Sequence, residues 1–125
     1  MDQKVYDAGM KMRRKVAGDE YVDKAMSNLT DFNRDFQRIV TQYCWGEAWG
    51  DDTLTPRERS ILNLGMIAAL GKMEEFQTHT RGALNNGMTR DEIKEVFLQT
   101  AIYCGVPAAV EAFRCAREVF AEDAK

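Results

Sequence analysis

The chain has 125 residues, 45% of them apolar and 30% charged, with a formal net charge of −3 and a pI near 5.2. That balance excludes a disordered or Pro-rich chain and a basic nucleic-acid footprint. At a prior of about 150 residues per domain it predicts a single domain over residues 1–125. The longest apolar run, 61–70, is interrupted by Asn63 and Gly65 and falls short of the roughly 18 residues of a membrane span.

Residues 1–6 lack the apolar stretch of a signal peptide, so the expectation is a cytoplasmic protein with no membrane or nucleic-acid partner. Cys44, Cys104 and Cys115 form no Cys-x-x-Cys. Neither a disulfide framework nor a zinc site is expected from them.

Helical signals follow one another along the chain, and no stretch alternates as a strand does. The spacing predicts a first helix over 6–16, ended near Gly18, and a second over 19–27 opened by Asp19. A third is predicted over 31–48, with Phe32, Phe36, Ile39, Val40 and Tyr43 at helical spacing. Thr55-Pro56-Arg57-Glu58 reads as a capping box with proline at the first helical position. The helix it opens, to Leu70, is apolar on nearly all sides and is expected to be central and buried. A fifth helix is predicted over 73–86, with Gly87 as a left-handed cap. Thr89-Arg90-Asp91-Glu92 is a second capping box, opening a helix with Ile93, Val96, Phe97, Ala101 and Cys104 on one stripe. Pro107 suits the first turn of a last helix, to Phe120. The sum is an all-α bundle of six or seven helices.

Few residues can carry chemistry. His79 is the only histidine and the one side chain that titrates near neutrality unaided. Glu75, four residues earlier on the same helix, can pair with it, while Arg81 lies off that face. The plainer alternative is a half-buried histidine making a hydrogen bond. Trp45 and Trp49 share a helix face around Glu47, either as a pocket wall with a positioned carboxylate or as core or subunit-contact packing. Arg57 and Arg59 sit just inside a helix N-terminus, where anions are favoured; pairing with Glu58 or Asp52 is the alternative. The cysteines read as small buried apolar side chains.

Three segments then bear a joint resemblance: Arg59-Ser60-Ile61-Leu62; Thr78-His79-Thr80-Arg81-Gly82-Ala83-Leu84-Asn85-Asn86-Gly87, with the capped Asp91-Glu92-Ile93-Lys94-Glu95-Val96; and Ala101-Ile102-Tyr103-Cys104-Gly105-Val106-Pro107-Ala108-Ala109. Asn28-Leu29-Thr30-Asp31-Phe32-Asn33 and Trp45-Gly46-Glu47 also fit. Over residues 5–120 the chain resembles the carboxymuconolactone decarboxylase family, within the alkylhydroperoxidase D-like superfamily. A peroxidase branch of that superfamily uses a glutamate, then Cys-x-x-Cys, then a histidine. In register, Glu92 and Cys104 match the glutamate and first cysteine, but Pro107 and Glu111 stand at the second cysteine and the histidine. A dithiol relay needs a resolving thiol, so the register tells against redox chemistry, and the thiol-dependent peroxidase remains the alternative reading. A divergent member acting on another lactone or acid is a second alternative.

The resemblance implies decarboxylation of 4-carboxymuconolactone to 3-oxoadipate enol-lactone and CO2, in the β-ketoadipate route of aromatic catabolism. It implies no cofactor and no metal, because the substrate carries its own electron sink. His79 is then expected to donate the proton and Glu47 to orient or relay it. Arg59 and Arg81 are expected to hold carboxylates, and Trp45 and Trp49 to exclude water. A ring-like homo-oligomer, a hexamer, is also implied. The tryptophans and an apolar first helix are apolar surface that association would cover.

Overall fold

Helices alone build the chain in the computed structural model, which describes residues 2–123. Seven α-helices and one π-helical stretch are present among the described residues, and no strand; the all-α expectation is borne out. Contacts divide the chain into two compact units, 1–55 and 56–125.

In the first unit α1 (Gln3–Ala17) starts earlier than the spacing predicts. Asp2 caps it, its carboxylate accepting the N–H groups of Lys4 and Val5 at 3.1 and 3.2 Å. Helix α2 (Asp19–Ser27) follows. The third helix begins late, at Arg34, because Asn33 ties off the preceding turn: its side chain accepts from Thr30 N–H at 2.8 Å and donates to Asn28 C=O at 3.1 Å. Helix α3 (Arg34–Ile39) then runs without a break into a π-helical stretch, Val40–Ala48, where Trp49 N–H donates to Cys44 C=O, five residues back, at 3.0 Å.

This stretch packs on α1 through two glycines. A Cβ on Gly9 would lie 2.1 Å from the Thr41 carbonyl oxygen, and one on Gly46 would lie 2.7 Å from that of Val5. The two backbones meet with no room for a side chain. Val16, Trp45 and Trp49 form the core of this unit, with Met12 and Val40 against them. Arg13 is buried beside them and donates from Nη1 to Thr41 Oγ1 at 3.2 Å. The predicted apolar stripe faces the other way. Phe32 is 98% exposed, and Phe36, Ile39 and Tyr43 are also exposed. Of the predicted stripe, Phe32 lies in the turn before α3 and Val40 packs inward, and the spacing did not say which face α1 would cover.

In the second unit α4 (Pro56–Leu70), α5 (Met73–Asn85), α6 (Arg90–Cys104) and α7 (Val106–Asp123) pack around Leu64, Phe76, Ile93 and Phe97, all essentially solvent-free. Phe97 meets Phe76 and Phe113 at ring-centroid distances of 5.3 Å, edge-on to the latter. Small residues of α7, Ala112 and Ala116, complete the core. Gly87 ends the α5 segment with φ of 91°, as expected of a left-handed cap. The Thr89–Glu92 capping box is present in both directions. Helix α4 departs from expectation: Ser60, Leu64 and Ala68 are buried, but Leu62, Met66 and Leu70 are exposed. An all-round apolar helix needs cover on both sides, and the other helices of this unit supply one.

Candidate active site

His79 owes its position to the register of α5. Phe76, Thr80 and Ala83 point into the core, with Thr80 Oγ1 donating to Phe76 C=O at 2.8 Å. His79 sits one residue off that face and is half-buried. Burial pushes its imidazole below the ordinary value of 6.5, and the Glu75 carboxylate one turn earlier opposes the shift only in part. The shift favours the neutral imidazole. Arg81 is engaged by α7: Nε and Nη2 each donate to Glu122, at 2.9 Å, in a two-pronged ion pair.

Arg57 and Arg59 lie in the first turn of α4. Arg57 pairs with Glu92, whose other carboxylate oxygen accepts the Thr89 N–H at 2.9 Å. Arg59 is half-buried, with its Nε enclosed. Asn86 pins the turn that carries these arginines to the end of α5, donating to Ser60 Oγ at 2.9 Å and Pro56 C=O at 3.3 Å. Counting back from Asn86 at 1.5 Å per residue, Arg81 lies about 7 Å and His79 about 10 Å along the α5 axis. Arg59, His79 and Arg81 thus belong to two adjacent helices of one unit.

The other three expected site residues belong to the first unit. Trp45 and Trp49 are each 5% exposed, with ring centroids 5.0 Å apart and planes tilted by 30°. They are core residues of that unit, which is the packing alternative. The exposed apolar surface that association would cover is therefore not theirs. Glu47 is exposed on the π-helical stretch between them.

The thiols are not arranged for redox work. Of the three, Cys115 is buried as expected, whereas Cys44 and Cys104 are exposed; desolvation pushes the Cys44 and Cys115 thiols up, the reverse of an activated thiolate. Cys104 ends α6 beside an apolar cavity of about 410 Å3 lined by Ile61, Met66, Val96 and Tyr103. Glu92 serves a helix cap and an ion pair, and Glu111 pairs with Arg114 at 3.4 Å. No group of three His, Cys, Asp or Glu residues converges on a point where a metal ion would sit, among the described residues. Sequence reasoning missed Arg13. Nothing in Lys11-Met12-Arg13-Arg14-Lys15 marks which cation turns inward; the one signal is helical register with Gly9 and Val16.

The sequence profile of the carboxymuconolactone decarboxylase family matches residues 34–118. The chain belongs to this family. Among its relatives, a 4-carboxymuconolactone decarboxylase of Acinetobacter baylyi is 39% identical over 119 residues, 95% of this chain and 89% of that one. A nitrosuccinic acid decarboxylase of Metarhizium robertsii is 42% identical over 112 residues, 90% of this chain and 78% of that one. A 4-carboxymuconolactone decarboxylase sequence of Pseudomonas putida, matched along its whole length, is 48% identical over 48 residues, 38% of this chain. By family the chain is an enzyme of the decarboxylase class, a carboxy-lyase, as expected.

Proposed function

We propose that this enzyme decarboxylates 4-carboxymuconolactone to 3-oxoadipate enol-lactone and CO2. The observation that carries the reading is the near end-to-end similarity to the Acinetobacter baylyi decarboxylase. The chemistry asks little of the protein. Breaking the bond from the ring carbon to the departing carboxylate releases CO2, and the electron pair flows through the C=C bond into the lactone carbonyl as a dienolate. A proton delivered to the carbon beside that carbonyl completes the product. The protein must hold a dianion, stabilise charge on the lactone oxygen and supply the proton.

In this reading Arg59 holds a substrate carboxylate at the start of α4, where the helix dipole favours an anion. His79 gives the proton. With its pKa lowered in the free protein, it takes up that proton when the dianion binds, because nearby negative charge raises an imidazole's pKa. Arg81 contributes a second contact only by exchanging Glu122 for a substrate carboxylate. Trp45 and Trp49 fix the π-helical stretch that presents Glu47. The protein works in the cytoplasm, in aromatic catabolism, as a homo-oligomer, a hexamer. The exposed apolar side chains on α3 and α4 support association.

The Metarhizium robertsii relative favours a second reading, nitrosuccinic acid as substrate. The two acids share a logic. Each is a dicarboxylate that loses CO2 from a carbon next to an electron sink, a nitro group in one and a vinylogous carbonyl in the other.

The test is CO2 release from freshly generated 4-carboxymuconolactone, without added metal or cofactor, against an enzyme-free control, with nitrosuccinate in parallel. Turnover of the lactone alone supports the first reading, and turnover of nitrosuccinate alone replaces it with the second. His79→Ala should lose about 10²–10⁴-fold in kcat, the usual worth of a positioned acid. The fall of kcat with rising pH should also lie at higher pH than that of kcat/KM, since substrate charge raises the His79 pKa. Nearly full turnover in His79→Ala, or coincident pH limbs, sinks the assignment.

A further inference from the structure

Helices α6 and α7 are joined at Gly105 and run back along each other, leaving a cleft of about 760 Å3 between them. None of Arg59, His79 or Arg81 lines it. Its size and apolar floor suit a small-molecule site. The floor is Phe97, Ala109 and Ala116, all buried. The cleft is polarised along its length. Arg90, at the start of α6, donates to Phe120 C=O at 3.3 Å, and its guanidinium lies 4.8 Å over the Phe120 ring. The start of α6 therefore sits beside the end of α7. That contact collects Arg90, Lys94 and Arg117 at one end and leaves Val106 and Val110, both exposed, at the other.

Charge sharpens the point. The chain carries a net −3, yet Arg90, Lys94, Arg114 and Arg117 line this cleft, and no Asp or Glu does among the described residues. Two of these cations have acidic partners, Asp91 for Lys94 at 3.9 Å and Glu111 for Arg114 at 3.4 Å. Both are exposed pairs on their own helices, of the kind that holds a side chain weakly. The stretch from Lys94 to Ala101 spans about 10 Å at 1.5 Å per residue, the length of a medium alkyl chain.

We propose that this cleft binds an amphipathic monocarboxylate, with its apolar chain on Phe97 and Val110 and its carboxylate among Arg90, Lys94 and Arg117. The site is separate from the residues assigned to decarboxylation and takes a different class of ligand. A small dicarboxylate lactone has no use for three phenylalanines, whereas a single anionic head on an apolar body matches both ends of the cleft.

Calorimetric titration of the full chain with decanoate, and with decan-1-ol as the uncharged counterpart, tests this. Decanoate should bind saturably. Decanol should bind at least about tenfold more weakly, since the charge contributes specificity. Lys94→Glu/Arg117→Glu and, separately, Val110→Asp should each weaken decanoate at least about tenfold. All three positions are exposed, and unchanged circular dichroism would show that the variants fold. Decarboxylation by Lys94→Glu/Arg117→Glu should stay within about twofold of the parent, so failure of the decarboxylase reading and failure of this one are read separately. Equal binding of acid and alcohol, or unchanged binding by the variants, overturns the proposal. So does the absence of decanoate binding, whether a second copy covers the cleft or phosphatidylglycerol vesicles bind in its stead.

Discussion

At the scale of single residues, His79 couples the candidate site to pH. Its imidazole has an ordinary value of 6.5 and is pushed lower by burial in the folded chain. The unfolded chain therefore takes up this proton at higher pH than the folded one. The associated stability is complete above about pH 6.5 and is lost as pH falls from there through the lowered folded value. Urea midpoints measured between pH 7.5 and 5.5 should fall with acidification. His79→Gln, which cannot titrate, should flatten that slope. An identical slope in the variant would show that other groups carry it. The same shift qualifies the chemical argument from sequence. Uniqueness and a pKa near neutrality single out His79, but burial lowers that pKa in the structure, so the proposed proton donor would have to gain its proton with the substrate.

At the scale of elements, the contact between α1 and the π-helical stretch is the sharpest constraint in the first unit. A methyl group on Gly9 would have to lie 2.1 Å from the Thr41 carbonyl oxygen and 2.8 Å from the Gly46 nitrogen, both backbone atoms. Neither can move without opening the helix pair. Gly9→Ala should destabilise by at least about 3 kcal/mol, the upper end of ordinary overpacking. Gly65 on α4 is the control: a Cβ there meets nothing closer than Thr100 Oγ1 at 4.0 Å. Gly65→Ala should be neutral or stabilise by up to about 1 kcal/mol, the helix-propensity difference. Denaturant midpoints of the two variants check both, and equal effects would refute the close-approach account. The contrast also shows what was legible in the sequence. The Thr89–Glu92 box and the Gly87 cap are local chemistry, set by neighbours within a few residues, and they were readable. So was the all-α class, from period alone. The π-helical widening at Val40–Ala48 and the inward turn of Arg13 on α1 both lie where these two elements meet, and no local signal states that contact. For the candidate site, residue types were readable, but the partners were not. Nothing near Arg81 in sequence points to Glu122, and nothing near Glu92 points to Arg57.

At the scale of the whole molecule, the apolar residues left outside set the expectation. Phe36, Ile39 and Tyr43 recur along one face of α3 and its continuation, with Phe32 exposed in the turn before it, and Leu62, Met66 and Leu70 recur along one face of α4. Each set keeps helical spacing, so each is a stripe and not a scatter. Isolated exposed apolar side chains are ordinary, whereas contiguous stripes mark surfaces that another molecule covers. Because the tryptophans are already buried within the chain, these stripes now carry the argument for association. The stripe on α4 is the more telling, since the helix is apolar on nearly all sides and α5, α6 and α7 cover only one. Identical chains that share such a face close into symmetric assemblies, two-fold pairs the commonest. Sizing with light scattering at micromolar concentration should therefore give a multiple of the 14.2 kDa chain. Met66→Glu, which sets a charge in the middle of the α4 stripe without touching the Leu64 side, should shift that mass towards the monomer. A wild-type monomer at these concentrations would mean that the stripes stay exposed. An oligomer untouched by Met66→Glu would move the interface to the Phe36 face, where Phe36→Glu is the matching experiment.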